Sequence, residues 1–390
     1  MNRNTIRTLI CFPAVLLASG LTGCGGSGTS SGSSTPMIPK VIVAANPGQL
    51  FNLLAAPNGM VVVENSTGTK YGTAATGLTA FTTPSGLGSG TVYVTQLSSG
   101  GLSACGDGQR ATDGSLVNII WNLTDNTAKT YDTSLGFAGA VADGGLFFTS
   151  LYDSSGNPSY ATVTPDGTST PIKAFGTDNI FVVGFDGSNN MLVGDYGPAM
   201  GGSATQSKPT PKSAIHASTA FHMARTILES KPAGTTRGGG GNYQSFFYSS
   251  SGQKIQIPGD TTSWPALVTI MPDGECLGSY GNDQGAVACA WTQGGGLVKY
   301  NPLPNNGAAT ALTSNSKWVG GVSGDERDMR AMIWLKGKAD SGRDLNKILG
   351  YTNVSYTWIE IMSLNADGTM TVAGYDKSGN IVVVSLPAPK

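Results

Sequence analysis

Charged side chains are scarce in this sequence. Asp, Glu, Lys and Arg make up 12% of the 390 residues, and the formal net charge at pH 7 is -1. A protein that binds a nucleic acid backbone usually carries a strongly basic patch, which this balance does not predict. The sequence also lacks a Walker motif or a dinucleotide-binding motif between a strand and a helix. We therefore expect no nucleic acid partner and no nucleotide chemistry.

Histidine is rarer still, with two residues in the whole chain. His216 and His222 are six residues apart, which places them about 240° apart around a helix and so on different faces. No His-Glu-x-x-His pattern surrounds them. We therefore predict no metal site and no cofactor, and a polar histidine on a surface helix is the simpler interpretation of both residues.

The acidic residues do not point to a catalytic pair either. Many Asp residues precede Gly in turn dipeptides, where the short side chain serves the backbone geometry. Asp325, Glu326 and Asp328 could bind calcium through their carboxylates, but a solvated loop is the more common meaning of such a cluster. The sequence therefore leaves the catalytic residues of any enzymatic function unknown.

A long apolar run is also missing. The stretch from Leu9 to Leu17 is interrupted by Pro13 and falls well short of the roughly 18 residues that a membrane-spanning helix needs. Arg3 and Arg7 precede this stretch, and the small residues 18–20 follow it. That order of charged, apolar and small residues predicts a signal peptide.

The next residues, Leu21-Thr22-Gly23-Cys24, resemble the lipobox of bacterial lipoproteins. The resemblance implies that residues 1–23 are a lipoprotein signal peptide and that the Cys24 thiol is acylated, with a plain cleaved signal peptide as the alternative. Several acyl chains anchor a protein stably in a membrane, whereas one chain holds it only reversibly. Gly25 stands where Asp would retain a lipoprotein in the inner membrane, so the resemblance implies the outer membrane of a bacterial cell envelope.

Residues 24–39 then connect the lipid anchor to the rest of the chain. From Gly25 to Pro36 this segment has no charged residue and no large apolar residue. Such a composition predicts a flexible tether. The remaining residues, 40–390, are enough for one large repeat-built domain or two ordinary domains.

Three cysteines remain beyond the signal peptide and the lipidated residue, and an exported protein can form disulfides. The midpoint between Cys276 and Cys289 falls between Asn282 and Asp283. A hairpin turning there would place the two cysteines directly opposite each other, where a disulfide can form. Two small buried thiols are the alternative, and we expect Cys105 to be buried.

From residue 41 onward, short segments rich in β-branched and aromatic residues predict strands. The clearest are Val41-Ala45, Met60-Asn65, Thr91-Leu97, Val117-Leu123, Leu146-Asp153, Asn179-Asp186, Phe246-Ser249, Ala266-Pro272, Ala286-Trp291, Trp358-Leu364 and Ile381-Pro387. Turn dipeptides that favour tight hairpins separate them: Asn58-Gly59, Asp107-Gly108, Asp113-Gly114, Asp143-Gly144, Asp166-Gly167, Asp186-Gly187, Asp273-Gly274 and Asp367-Gly368. The prediction is an all-β chain that forms a long antiparallel meander.

Two sequence patterns recur along this meander. Tyr-x-x-Ser-Gly followed by Asn or Gln occurs at 152–157, 248–253 and 375–380. A second pattern ends a strand in tryptophan, at Trp121, Trp291 and Trp334. We interpret these tryptophans as core packing between repeats rather than as ligand-stacking residues.

Strand-Trp-loop units followed by Asp-Leu-Asn resemble the HAF-type extracellular repeat proteins of bacteria. The clearest stretch is Met332-Ile333-Trp334 followed by Asp344-Leu345-Asn346, and the resemblance covers roughly residues 270–390. It implies a propeller-like repeat fold and an extracytoplasmic location, and it implies no activity.

Four-stranded units of about 40 to 50 residues fit the length of the chain as a β-propeller of about seven blades. Pairing of Lys40-Ala45 with Ile381-Leu386 would close the ring and hide both strand edges. A pair of β-sandwiches is the alternative fold.

Residues 200–241 interrupt the strand pattern. The span from Lys212 to Lys231 has no Gly or Pro, its apolar residues recur at helical spacing, and Ser213 can serve as the N-cap. Pro232 ends the span. We therefore predict a short helical insertion in the ring, with a mobile loop as the alternative.

These observations predict a lipid-anchored cell-envelope protein whose propeller-like domain binds a glycan, another envelope protein or a small ligand without chemistry. The alternative is an extracytoplasmic enzyme that acts on glycans at the central channel. A channel lined by clustered acids or by a histidine would favour the enzyme, because catalysis needs titratable groups with shifted pKa values. A channel filled with apolar side chains would favour the binding protein.

Overall fold

Short segments rich in β-branched and aromatic residues, separated by tight turns, fold into antiparallel strands in the computed structural model of this protein. The structure describes residues 40–45, 50–65, 68–88, 92–155, 157–175, 178–198, 244–259, 264–282, 285–304, 308–324, 330–345, 354–355, 362–365, 367–376, 378 and 380–388. These residues belong to one compact unit, Ile38–Lys390. The predicted lipid attachment at Cys24, the predicted tether and the predicted signal peptide lie outside the described residues.

The strands form seven antiparallel sheets. Three of them follow the first strand, β1 (Lys40–Ala45), in chain order. Blade 1 contains β2 (Leu50–Ala55), β3 (Val61–Asn65), β4 (Gly68–Thr73) and β5 (Gly77–Ala80); blade 2 contains β6 (Tyr93–Leu97), β7 (Ser103–Gln109), β8 (Leu116–Asn122) and β9 (Thr127–Asp132); blade 3 contains β10 (Phe137–Val141), β11 (Phe147–Tyr152), β12 (Pro158–Val163) and β13 (Ser169–Pro171). Two short 3₁₀ turns, Thr133–Leu135 and Lys173–Phe175, flank blade 3.

The remaining four sheets continue the same pattern. Blade 4 contains β14 (Asp178–Phe185), β15 (Met191–Pro198), β16 (Gln244–Tyr248) and β17 (Lys254–Gln256); blade 5 contains β18 (Trp264–Ile270), β19 (Cys276–Asn282), β20 (Gly285–Thr292) and β21 (Gly296–Tyr300); blade 6 contains β22 (Ala309–Ser314), β23 (Trp318–Ser323), β24 (Arg330–Leu335) and β25 (Arg343–Asp344); blade 7 contains β26 (Val354–Ser355), β27 (Met362–Leu364), β28 (Thr369–Asp376) and β29 (Ile381–Pro387). The all-β fold is therefore a seven-bladed propeller, as predicted, and the pair of β-sandwiches is wrong.

The ring closes through its two ends. β1 pairs antiparallel with β29, with Lys40 opposite Ser385 and Ala45 opposite Ile381, which confirms the predicted closure. Val43 of β1 is buried and packs in one cluster with Ile381 and Val383. Blade 7 thus takes its outermost strand from the start of the propeller, and pairing removes an open edge.

Tryptophans fill the space between neighbouring blades. Trp121, Trp291 and Trp334 each lie on the third strand of a blade, and all three are buried. Trp121 packs with Leu54 and Val62 of blade 1, and Trp334 packs with Leu277 and Ala288 of blade 5. The interpretation of these residues as inter-blade core is confirmed.

One predicted turn is wrong. Asp107-Gly108 lies inside β7, where Asp107 pairs with Tyr93 on one side and with Asn118 on the other. The turn of this hairpin follows at Asp113-Gly114, where Gly114 has a φ of 68°. Asp-Gly is only a local preference, and pairing with strands on both sides outweighs it here.

The predicted register around the cysteines is also wrong. Asn282 pairs with Gly285, so the hairpin turns one residue later than predicted, and Cys289 lies opposite Gly278 rather than opposite Cys276. A shift of one residue in the turn centre moves the pairing by two residues, which makes the two cysteines diagonal neighbours. In the structure Cys105, Cys276 and Cys289 are all buried free thiols.

The predicted insertion at 200–241 lies outside the described residues, with His216 and His222, and so do Asp325, Glu326 and Asp328. The flanking strands are nevertheless defined. Pro198 ends the second strand of blade 4, Gln244 begins the third strand, and these strands pair directly. Residues 199–243 therefore connect two neighbouring strands of one blade.

Candidate functional site

The inner strands of the seven blades surround the axis of the ring, where a propeller can enclose a channel. The described parts of β2, β6, β10, β14, β18, β22 and β27 contain no histidine, and their one acidic residue is Asp178. Every residue of β22 is buried. The Gln96 side chain of blade 2 donates a hydrogen bond to the Val183 carbonyl of blade 4 at 2.5 Å. Over this described part, the axis shows packed side chains rather than a cluster of acids.

The two ends of the ring differ in their surface. We call the end that carries the turns between second and third strands the B–C face, and the opposite end, with the turns between first and second strands, the A–B face. Seven large hydrophobic residues in the described part of the chain are exposed, and four of them lie at the B–C face of blades 2 and 3: Tyr93, Phe137, Leu151 and Tyr152. Phe137 is 50% exposed although it begins an inner strand. Such a cluster of exposed apolar side chains is typical of a binding surface.

Two carboxylates accompany these aromatic residues. Glu64 lies near the B–C end of β3 in blade 1, and Asp107 lies near the B–C end of β7 in blade 2. Asp107 is directly opposite Tyr93 in the register, so the two side chains emerge on the same side of the sheet. Both carboxylates are half-buried. Aromatic and acidic side chains therefore meet at one end of the ring.

Amide side chains hold this arrangement together. Asn52 forms a hydrogen bond with the Glu64 carboxylate and donates through Nδ2 to the Val94 carbonyl of blade 2 at 2.8 Å. Asn118, which is buried and lies opposite Asp107, donates through Nδ2 to the Gly136 carbonyl at 2.7 Å. Its Oδ1 accepts a hydrogen bond from the Ala138 amide at 2.9 Å. The backbone on both sides of Phe137 is thus fixed to the strand next to Asp107.

Burial shifts the titration of both acids. Loss of solvent raises the pKa of Glu64 above its usual value, the Asn52 hydrogen bond opposes this rise, and the negative charge of Asp107 adds to it. Loss of solvent also raises the pKa of Asp107. A raised carboxylate pKa means that the ionised form is disfavoured in the folded chain. We call Asn52, Glu64, Tyr93, Asp107 and Phe137 the B–C face site.

Asp107 is exceptional among the acidic side chains that the structure describes, because it shows no hydrogen bond and no ion pair with any described residue. The others accept hydrogen bonds or form ion pairs, some within turns and some with distant parts of the chain, as Asp143 does with the Ser98 hydroxyl at 2.6 Å. In turns, hydrogen bonds from Ser115, Ser134 and Thr164 lower the pKa values of Asp113, Asp132 and Asp166 respectively. An unpaired half-buried carboxylate costs stability, so its position beside exposed aromatic rings is a sign of function.

The other buried acids have structural partners. On the A–B face, Glu275 forms an ion pair with Lys336 at 2.9 Å and accepts a hydrogen bond from the Ser314 hydroxyl. In blade 6, Asp344 forms an ion pair with Arg330 at 3.1 Å. These pairs link neighbouring strands or blades, and the buried Asp186 carboxylate instead accepts hydrogen bonds from Ser188 and Asn190.

A cavity of about 140 Å³ also opens on the B–C face, between blade 2 and residues 85–87 of the segment that connects blade 1 to blade 2. Its lining includes hydroxyl side chains and one charged residue, Arg110. Arg110 lies 4.0 Å from the Asp132 carboxylate. The cavity therefore adds polar surface beside the B–C face site but contains no acid or base pair.

Sequence reasoning missed the B–C face site. One predicted strand, Met60-Asn65, contains Glu64, but no predicted strand covers β7, which contains Asp107. The sequence therefore did not place these two acids in corresponding positions of neighbouring blades. The available signal was an acidic residue inside a segment that otherwise predicts a strand, as in residues 61–65.

Among the described residues the structure contains no group of three or more potential metal ligands, and none of their helices is long and apolar enough to cross a membrane.

Comparisons with known proteins give only distant structural likenesses. No protein-family model matches the sequence, and no curated protein matches it. Solved structures with structural likeness include the β-propeller domain of the Trilobed protease from Pyrococcus furiosus, with 8% identity, a TM-score of 0.43 and coverage of 85% of this chain and 89% of that one. An acylaminoacyl peptidase from Pyrococcus horikoshii has 10% identity, a TM-score of 0.46 and coverage of 77% and 46%.

TolB from Acinetobacter baumannii is a third structure with this likeness, at 9% identity, a TM-score of 0.37 and coverage of 79% of this chain and 65% of that one. The chain thus spans less than two thirds of the peptidase and TolB structures. At such low identity and TM-scores, none of these likenesses carries an argument about activity.

Proposed function

We propose that this protein is a binding module of the bacterial cell envelope, which recognises a glycan or another envelope protein through the B–C face site and performs no chemistry on it. The observation that carries the proposal is the cluster of exposed Tyr93 and Phe137 beside the unpaired Asp107 carboxylate. Aromatic rings with a few fixed polar groups are the usual composition of a recognition surface. The packed axis of the ring supports binding at one end rather than within a channel.

The test compares two kinds of exposed apolar residue. Full-length protein is added to envelopes from cells that lack the gene, and the bound fraction is measured by sedimentation. We expect the double variant Tyr93→Ala/Phe137→Ala to lose at least about tenfold in affinity, because such anchors dominate binding energy. Leu102→Ala is the matched control, since Leu102 is 47% exposed but lies on the A–B face. Equal binding by the two variants would refute the proposal.

We further propose that the module is anchored through acylation of Cys24, with residues 24–39 as its tether. The lipobox resemblance and the tether composition support this. Mass spectrometry of the membrane-extracted protein should find acyl chains on an N-terminal Cys24. Cys24→Ala should abolish the acyl mass, whereas Cys11→Ala, within the signal peptide, should leave it unchanged. An unmodified N-terminus other than Cys24 would contradict the anchor.

An enzyme acting on glycans is the second candidate, and one observation favours it. Burial raises the pKa values of Glu64 and Asp107, and a carboxyl group that keeps its proton to a higher pH than usual is the kind of group that acts as a general acid. If the site is catalytic, purified protein should release reducing ends from envelope polysaccharide. Asp107→Asn should abolish that release, while Asp166→Asn, on the A–B face, should not.

A further inference from the structure

The B–C face site carries negative charge that the described residues do not neutralise. No Lys or Arg side chain in the described part of the chain forms an ion pair with Glu64 or Asp107. Lys70, on the strand next to Glu64, lies opposite Val63 and so projects from the other side of the sheet. Arg110, at the same end of blade 2, lies 4.0 Å from the Asp132 carboxylate instead. The strands that pair with β7, namely β6 and β8, contain no cationic residue.

The aromatic rings of the site are also without a cation, unlike others in this fold. Elsewhere the ammonium of Lys299 lies 3.7 Å from the centre of the Tyr280 ring, and that of Lys254 lies 3.9 Å from the centre of the Phe246 ring. Neither Tyr93 nor Phe137 is covered in this way by a described residue. Exposed aromatic rings next to carboxylates attract cations through the negative face of the ring and through direct charge.

We propose that the B–C face site binds a basic segment of a protein partner, with a Lys or Arg side chain inserted between the Tyr93 ring and the carboxylates of Glu64 and Asp107. This deepens the proposed function and rests on it. Charge complementarity selects the partner, since a neutral glycan offers hydroxyl groups but no charge to balance two half-buried carboxylates. A cation in the site would also remove the cost of keeping Asp107 ionised without a partner.

Because the proposed site is acidic, its affinity for a cationic partner should depend on the pH and on the salt concentration. A cation favours the ionised carboxylates, so binding at a pH near their raised pKa values releases protons. The affinity should therefore rise as the pH increases through the carboxyl range. Added salt should weaken the binding, because the carboxylates are only partly buried and remain open to screening.

The direct test is calorimetric titration of the full-length protein in detergent with hexalysine. Nε-acetylated hexalysine is the neutral control, and a hexamer of glucosamine tests an amine on a sugar. Asp107→Asn and Glu64→Gln should each weaken hexalysine binding at least about tenfold, as expected when one partner of a desolvated charge contact is lost. Asp166→Asn, an exposed acid on the opposite face, should leave the affinity unchanged and so controls for general attraction to an acidic surface.

The outcomes separate this inference from the proposed function. Absence of hexalysine binding, or equal loss in Asp107→Asn and Asp166→Asn, would overturn the cationic partner. Tighter binding of the glucosamine hexamer than of hexalysine would also overturn it, in favour of an amino sugar. If hexalysine binding fails in these ways while Tyr93→Ala/Phe137→Ala still loses envelope binding, the proposed function survives and only its ligand class is wrong.

Discussion

Asp107 connects stability and function at the scale of one residue. Its pKa is raised by burial, so the folded chain holds a proton on this carboxyl more tightly than the unfolded chain does. The free energy of unfolding therefore falls as the pH rises through the range between the usual pKa and the raised one. A residue that lowers stability at neutral pH is typical of a functional site.

The matching prediction concerns Asp107→Asn. At pH 7 this variant should unfold at a slightly higher denaturant concentration than the wild type, because the amide has no ionised form to desolvate. The difference should shrink as the pH falls and disappear well below the usual aspartate pKa of 3.8, where the wild-type carboxyl is protonated in both states. Denaturant titrations at several pH values measure it. A variant that is less stable than the wild type at pH 7 would show that Asp107 has a structural partner instead.

A second prediction at the residue scale concerns Gly278. It lies on the second strand of blade 5, opposite Leu267 beside a β-bulge, and an added Cβ would overlap the Ala266 carbonyl oxygen. Gly278→Ala should therefore lower the free energy of unfolding by about 2 kcal/mol or more. Gly144→Ala is the control, because no atom lies within 4 Å of its added Cβ. Equal denaturation midpoints for the two variants would refute the close approach.

At the scale of elements, the bulges show what the sequence could and could not predict. Most strands were predictable from β-branched residues and turn dipeptides, as β3 and β29 illustrate. The inner strands of blades 2, 3 and 4 each carry a bulge two residues before their end, at Thr95, Gly139 and Val183. A bulge shifts the pairing register without leaving a residue signature. The predicted pairing of Cys276 with Cys289 was wrong for a similar reason, because the sequence does not show where the hairpin turns.

The prediction at the element scale concerns β1, the strand that closes the ring. Val43 is buried against β29 and blade 1, whereas Val41, two residues earlier on the same strand, is 53% exposed. Val43→Asp should cost about 3 kcal/mol or more, because it places an unpaired charge in an apolar cluster. Val41→Asp should have little effect. Thermal unfolding of both variants checks this, and similar midpoints would contradict a ring closed by β1.

At the scale of the whole molecule, the ring explains why the site escaped sequence analysis. Glu64 and Asp107 are 43 residues apart and look unrelated in the sequence, yet they occupy corresponding positions on the second strands of neighbouring blades. Repetition of the blade brings them to one end of the ring together with Tyr93 and Phe137. The class of fold was predictable from strand spacing, but a site built across blades depends on the register of each strand.

The central claim is that the B–C face of blades 1 to 3 is the surface that meets the partner. Photo-crosslinking in the native cells tests it most directly, with a benzoylphenylalanine placed at position 137 in one strain and at position 102 in another. The account predicts a discrete crosslinked adduct from position 137 and none from position 102, although both wild-type residues are about half exposed. Adducts from position 102 alone, or the same adduct from both positions, would contradict it.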